Sequence, residues 1–526
     1  MRKKILCILI AFLMFLTCFS GCSKEEEIYL SCSINEMPQH FDPQIAKSQG
    51  EKIVAVNTFD GLFKLDENGN PQNCAVKEYK VSADGLVYTF YLHDNLEYFV
   101  SKSARSFIEG QEAQIDAKIT AHDFAFGITR AILPETNAPD YDLLSVIKNA
   151  EKVHNGLEGV ASLGIRVIND YTLEITLERK SDEFLFALSQ PVSYPCDEDF
   201  FNLTAGRYGL EAKYILSNGV FYLSAIAENE SVRFTNNTDY QGQFKAIATS
   251  VRLYVNSDQN DVAKKINGKD YSVAFLTSAE AKESLNKKVN KTYLQNTTTA
   301  LVFNLANETL QNNNLRAGLI ETVSLASITE TPANNLIPSA FNYSTDKALV
   351  LATNIDGARE KLKTAFNELK IDKLTINILC VAENENIAKN IVSCWQQNIG
   401  VELNGTITVV EQKDFDSKIK SGSYTTAIYP VTVNSNRTVN FLGMFESNNN
   451  MNVFRYTSEE YDRMYGDFKY SPSEAKAIEC QTYLLKNAVI MPIYNESTVF
   501  AMAKDVSGVY CALDSANIYF YKGQTK

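Results

Sequence analysis

Short strand-like and helix-like apolar segments follow one another along most of the chain, and this alternation restricts the possible folds more than any other feature. Residues 251–255 and 374–381 are short runs rich in β-branched side chains, whereas residues 358–369 and 386–398 place their apolar residues at helical spacing. Such a βαβ rhythm predicts an α/β fold built on a parallel sheet with helices outside it. Residues 28–34 alternate apolar and polar side chains as a half-buried strand does, and Pro38-Gln39-His40-Phe41-Asp42-Pro43 then forces extended or turn geometry.

One stretch has a different character. From Thr58 to Tyr98 the turn signals Asp66-Glu67-Asn68-Gly69-Asn70-Pro71 and Ser82-Ala83-Asp84-Gly85 punctuate β-rich segments, which predicts hairpins. Thr120 and Asp123 stand where an N-cap and a third helical residue would, so a helix is predicted from that point through Ile132. Residues 165–168 and 173–177 flank Asn169-Asp170-Tyr171-Thr172, a further hairpin pattern.

The chain has 526 residues, 45% of them hydrophobic, which is more than one compact domain usually holds, so two lobes or more are expected. Its formal net charge of −13 and the lack of any Lys/Arg cluster after Lys4 exclude the phosphate-neutralising stripe that nucleic-acid binding needs. The start is basic (Arg2-Lys3-Lys4), followed by an apolar run over 5–19 and small residues Ser20-Gly21 before Cys22, which together read as an export signal over residues 1–21. The run is shorter than the ~20 residues of a membrane-spanning helix, so the exported body is expected to be soluble. Phe19-Ser20-Gly21-Cys22 also resembles the bacterial lipobox, with Phe19 departing from its aliphatic position, and this resemblance implies a lipid anchor on Cys22 followed by a solvated tether over 22–27.

Of the 10 cysteines, Cys7 and Cys18 leave with the leader and Cys22 is the lipid candidate. Cys32, Cys74, Cys196, Cys380, Cys394, Cys480 and Cys511 form no C-x-x-C and no Cys/His clamp, so no metal site, no cofactor and no disulfide scaffold is expected, and most should be buried thiols. His40, His93, His122 and His154 all lie in the first third, and neither H-E-x-x-H nor G-x-S-x-G occurs, which speaks against a secreted hydrolase and for a protein that is not an enzyme. Trp395, the single tryptophan, sits on an amphipathic helical pattern and reads as core.

Several blocks then carry a specific likeness. Phe41-Asp42-Pro43, Phe59-Asp60-Gly61-Leu62, the hairpin Ser82-Ala83-Asp84-Gly85 with Tyr88-Thr89-Phe90-Tyr91-Leu92, Thr120-Ala121-His122-Asp123 through Arg130, the 167–177 hairpin, Asn218-Gly219-Val220-Phe221-Tyr222-Leu223, Asn314 to Leu319 and Met491-Pro492-Ile493-Tyr494 occur in one order. In that order they resemble the peptide and nickel class of ABC solute-binding proteins, in which the Phe59 block matches a helical segment. The resemblance implies a two-lobed, periplasmic-binding-protein-like α/β fold with a hinge of two crossing strands and an additional β-rich domain on lobe one. Lobe one would comprise 28–51, 166–260 and 488–526, the β-rich domain 52–165, and lobe two 261–487.

It also implies a function: an extracytoplasmic, lipid-anchored, monomeric protein that captures a peptide or peptide-like solute by closing its lobes and hands it to an ABC permease. Candidate ligand-binding residues by resemblance are Lys47, Gln49, Tyr141, Asn296, Thr297, Thr298, Tyr429, Asn434 and Tyr494, each of which ordinary packing would also explain. Peptide-binding relatives hold a ligand's ammonium on an aspartate, but the matching stretch has Ile428 or Asn434 at that place, and no carboxylate occurs between Asp416 and Glu446. That departure favours a ligand blocked at its N-terminus, a non-peptide solute or an anchor elsewhere, and leaves open a scaffold turned to signalling or adhesion.

Overall fold

The computed structural model describes residues 27–345, 347–350, 352–433, 437–449, 451–512 and 517–526. Its centre is a ten-stranded sheet in the spatial order Leu403–Val409, Leu374–Cys380, Thr426–Thr432, Asn290–Phe303, Ile490–Met502, Val273–Leu276, Tyr29–Ile34, Ser250–Val255, Ser231–Asn236, Phe221–Ala227. Asn290–Phe303 and Ile490–Met502 are much longer than the others. They pair antiparallel from Asn290↔Met502 to Val302↔Ile490, a span of about 40 Å at strand rise.

Those two strands join two separate apolar cores. Lobe one collects Leu30, Phe63, Phe90, Phe124, Val251 and the C-terminal Tyr519 and Phe520, whereas lobe two collects Leu301, Ile378, Trp395, Phe441 and Ile493. Between the cores the crossing strands slip register at Gln295/Thr297 and again at Thr299/Ala300. Bulges of this kind locally break the ladder and bend the strand, which puts the compliant point of the connection midway between the lobes.

The sheet is mixed, whereas the rhythm of the sequence predicts a parallel one. Parallel pairing is confined to Tyr29–Ile34 with Ser250–Val255 and Val273–Leu276, and to Leu374–Cys380 with Leu403–Val409 and Thr426–Thr432. A chain that crosses into lobe two and later returns beside its outward path must run antiparallel to it, and strand Val273–Leu276 then pairs antiparallel with the returning strand. The segment around 261–289 also differs from its expected place in lobe two. Val262, Ala263 and Ile266 of helix Gln259–Gly268 bury their apolar face against Ala274, Leu276, Val499 and Ala501, so this unit packs on the half of the sheet that belongs to lobe one.

Val76–Val81, Val87–Leu92, Thr172–Thr176 and Ile165–Asn169 form a four-stranded antiparallel sheet that runs past residue 165, because the 165–176 hairpin supplies half of it. Thr120 and Asp123 form the capping box that starts helix Ala121–Ile132.

Several sequence blocks touch one another in space. Arg130 on that helix donates to both carboxylate oxygens of Asp42, at 2.8 and 2.5 Å, and lies over the Phe201 ring. The paired carboxylate holds the Arg130 guanidinium firmly protonated despite its burial. The Asn218 side chain accepts from Asp60 N and donates to Asp60 O, while a Cβ on Gly219 would stand 2.7 Å from the Thr58 carbonyl carbon. The Phe59 block is not helical, contrary to the resemblance. Helix Gln49–Thr58 stops with Phe59 extended, since Gly61 must pass under the Tyr194 ring, where a Cβ would come within 2.6 Å.

Cys32, Cys74, Cys196, Cys380, Cys480 and Cys511 are buried free thiols and Cys394 is half-buried. No helix of the described residues is long and apolar enough to cross a membrane.

Candidate functional site

Helix Gln49–Thr58 begins at the cleft between the lobes, and its first turn is fixed by one buried acid. Glu51 accepts from the backbone N–H groups of Lys47 and Ser48, both at 2.8 Å, and from Gln39 at 3.0 Å, while Ser48 caps the helix in return. Burial alone would push the Glu51 carboxyl up, but the donations from Ser48 and Lys47 outweigh it and hold the group below its ordinary value. The turn presents Lys47, Gln49 and Lys52 to a cavity of about 200 Å³.

Both lobes and the hinge line that cavity. Ser33, Asn35 and the 47–52 turn come from lobe one, Leu294, Asn296 and Thr498 from the crossing strands, and Thr432 and Val433 from lobe two. Thr498 Oγ1 donates to Asn296 Oδ1 at 3.1 Å. Lys52 is neutralised by Asp140 at 2.7 Å, whereas the Lys47 ammonium has no acidic partner among the described residues. None of the described lining residues is Asp or Glu. The cleft therefore offers amides, hydroxyls and an unpaired cation: groups that hold a solute, and that suit an anionic end better than a cationic one.

Of the residues singled out by sequence, Lys47, Gln49 and Asn296 meet at this cavity. Thr297 lies beside them in the strand, with its hydroxyl 3.4 Å from Asn296 Oδ1. Thr298 is fully buried and donates to Leu336 O at 2.8 Å, which makes it part of the lobe-two framework. Tyr429 packs against Phe415 and Phe454 inside lobe two, and Tyr494, the strand partner of Thr299, stands between the two hinge bulges with its hydroxyl near Thr299 and Glu496. Tyr141 stacks on His154 with ring centroids 3.7 Å apart, away from the cavity. Burial raises the phenol pKa of Tyr429, Tyr494 and Tyr141 alike, so all three remain neutral hydrogen-bonding groups. Asn434 and Cys22 lie outside the described residues.

Lys52, Ser33, Asn35 and Thr498 were not singled out by the sequence. Lys52 carried a usable signal, since it stands three residues after Gln49 on the same helix face. The contacts between the lobes were also unforeseen. Glu183 of lobe one pairs with Arg437 of lobe two and accepts from Asn342 Nδ2 at 2.7 Å, Lys469 meets Asp142 at 3.2 Å, and Arg179 Nε donates to Tyr470 O at 3.0 Å. These contacts hold the lobes together around a second interlobe pocket, which shares no lining residue with the cavity at Lys47.

A family model described as bacterial extracellular solute-binding proteins, family 5, middle, matches residues 70–453. The dipeptide-binding protein of Lactococcus lactis subsp. cremoris is 23% identical over 86% of this chain and 84% of its own length. The dipeptide-binding protein DppE of Bacillus subtilis is 22% identical over 93% of this chain and 90% of its own length. Among solved structures, Listeria monocytogenes OppA bound to peptide superposes with a TM-score of 0.73 at 21% identity, covering 95% of this chain and 99% of that one.

Proposed function

The chain belongs to the bacterial extracellular solute-binding proteins of family 5, and on that premise we propose that it captures a peptide or peptide-like solute in the interlobe cleft and delivers it to an ABC permease. The observation that carries the reading is the cavity of about 200 Å³ whose walls come from both lobes and from the strands that connect them. A solute touching both walls stabilises the closed arrangement over the open one, and the closed arrangement is what a permease can distinguish from the empty protein.

The family is one of binding proteins rather than enzymes, and we read this chain as releasing its ligand unchanged. An N-terminal export signal with Cys22 as lipid anchor supports a monomer held at the outer face of the cell membrane. Within the peptide class, a Lys47 without an acidic partner and a lining without carboxylates among the described residues support a solute that enters with an anionic group and without a free ammonium to be paired.

Native mass spectrometry of the gently purified protein tests capture directly, because it reports a bound mass together with its chemical identity. A co-purified peptide-like molecule released intact on denaturation is the expected result. A protein that is empty on purification, and that shows no calorimetric response to a mixed di- to pentapeptide library, would overturn the reading.

A further inference from the structure

The strand Tyr29–Ile34 links two cavities. Leu30 and Cys32 point into the lobe-one core, so Tyr29, Ser31 and Ser33 share the opposite face of the sheet. Ser33 reaches the ligand cleft, and roughly 7 to 13 Å back along the strand Ser31 and Tyr29 line a second cavity of about 360 Å³.

The floor of this second cavity carries two arginines. Val232, Phe234, Val251 and Leu253 bury their side chains in the core, which turns Arg233 and Arg252 outward, and the two are direct cross-strand partners. Like charges opposed in this way destabilise a sheet unless something neutralises them. Neither guanidinium has an ion-pair or hydrogen-bond partner for its side chain among the described residues, and Arg233 Nε is buried with no acceptor. Arg252 lies over the Tyr254 ring at 5.7 Å, which fixes its plane without satisfying its donors.

Among the described residues the nearby acids are paired or turned elsewhere, with one buried oxygen of Asp505 left without a partner. Asp505 pairs with Lys269 at 2.7 Å, and Glu27 accepts from the Tyr29 hydroxyl rather than from either arginine. Asp270 stands on the rim, where its backbone oxygen accepts from Ser31 Oγ at 3.1 Å, and its carboxylate makes no ion pair with the arginines. The cavity thus presents paired donor forks with hydroxyls around them and an excess of positive charge.

We propose that Arg233 and Arg252 form a binding site for a phosphate-class oxyanion, separate from the solute cleft. Two planar guanidinium forks side by side match the several oxygens of one phosphate, which a single lysine cannot do. The anion removes the repulsion between the arginines and supplies acceptors for their unpaired guanidinium donors. Its source is either a membrane phospholipid headgroup or free phosphate. The headgroup, unlike the site itself, rests on the lipid-anchor reading: Glu27 is five residue steps from Cys22, a reach of at most about 18 Å, so a lipid on Cys22 would keep this end of lobe one beside headgroups.

The test uses the full mature protein, titrated calorimetrically with inorganic phosphate against chloride at matched ionic strength. Saturable phosphate binding is expected, weakened at least about tenfold in R233Q/R252Q. R233K/R252K keeps the charge but loses the forks, and should fall between the two. Circular dichroism and retained solute binding check that the variants fold. Flotation with phosphatidylglycerol and with phosphatidylcholine vesicles, using protein without the lipid, distinguishes the sources. An anionic-vesicle preference lost in R233Q/R252Q identifies the headgroup, and phosphate binding without vesicle preference identifies the free ion. The proposal is overturned if phosphate binds wild type and R233Q/R252Q equally, if K47Q abolishes the binding while R233Q/R252Q does not, or if no saturable binding is found.

Discussion

Glu183 and Arg437, 254 residues apart, form an ion pair between the two lobes, with the Arg437 guanidinium resting over the Phe186 ring at 4.5 Å. Glu183 belongs to the segment whose phenylalanines fill the lobe-one core, and Arg437 precedes helix Thr438–Gly443, whose Phe441 and Leu442 lie in the lobe-two core. The pair is therefore a contact that exists only while the lobes are together. Its Arg437 end is 6% exposed, so separation returns a nearly dry guanidinium to water.

E183Q should consequently favour the open arrangement. Losing one member of a fully buried pair typically costs ~3–5 kcal/mol, but Glu183 is 22% exposed and opening lets Arg437 solvate, so about 1–2 kcal/mol is expected on the closed state. That corresponds to roughly tenfold weaker solute capture. Small-angle scattering of the unliganded protein should show a larger radius of gyration, and an E183Q protein with wild-type radius and wild-type affinity would contradict the clamp.

The chemistry of the cleft makes a second prediction, about ligand charge. With Lys52 neutralised by Asp140 and Lys47 without an acidic partner among the described residues, a free ammonium entering the cavity meets no described acid, while a carboxylate meets a cation. N-acetylated dipeptides should bind at least as tightly as their free-amine counterparts, and K47Q should weaken capture of either by about tenfold through loss of a charge-assisted contact. Calorimetry on matched peptide pairs decides the point. A strong preference for the free amine would show that an acid outside the described lining serves as the anchor.

Much of this architecture was readable because it is local. The Thr120–Asp123 capping box, the 165–176 hairpin and the burial of Trp395, which donates to Leu319 O at 2.9 Å, each follow from spacing within a few residues. Features set by distant parts of the chain were not readable. The end of helix Gln49–Thr58 depends on Tyr194, the antiparallel hinge on a strand about 200 residues away, and the Glu183–Arg437 clamp on two residues in no motif. The site divides in the same way. Lys47 and Gln49 sit in a turn defined by its own capping residues, whereas Tyr429 carries no local mark of which face of lobe two it occupies, and the structure turns it toward Phe415 and Phe454.

The Asp42–Arg130 pair yields a stability prediction. Both side chains are almost fully buried, and Arg130 satisfies both Asp42 oxygens while lying over the rings of Phe201 and Tyr208. R130A leaves the Asp42 carboxylate buried without its cation and should lower unfolding stability by about 3–5 kcal/mol. The double variant D42N/R130M removes both charges and should recover part of that loss. Urea denaturation followed by circular dichroism measures both, and equal losses in the single and double variants would show that packing around Arg130 matters more than its charge.

Acid sensitivity of lobe one should be shaped by Asp197, the N-cap of helix Glu198–Leu203. Burial pushes its carboxyl up to about 6, outweighing the hydrogen bond it accepts from Phe200 N at 2.6 Å, and Asp123, Asp199 and Asp116 push in the same direction as burial. The unfolded chain titrates this group near ~3.9, so the folded state holds the proton more tightly, and the resulting stabilisation is complete below about pH 4 and lost as pH rises through about 6. D197N keeps a competent N-cap and cannot ionise. Its stability relative to wild type should therefore rise between pH 4.5 and pH 7.5, by about 1 kcal/mol after allowing for the partial exposure of the site. Urea midpoints at the two pH values measure the change, and a relative stability that stays flat or falls toward pH 7.5 would mean that the ionised Asp197 is better accommodated by the helix N-terminus than its burial implies.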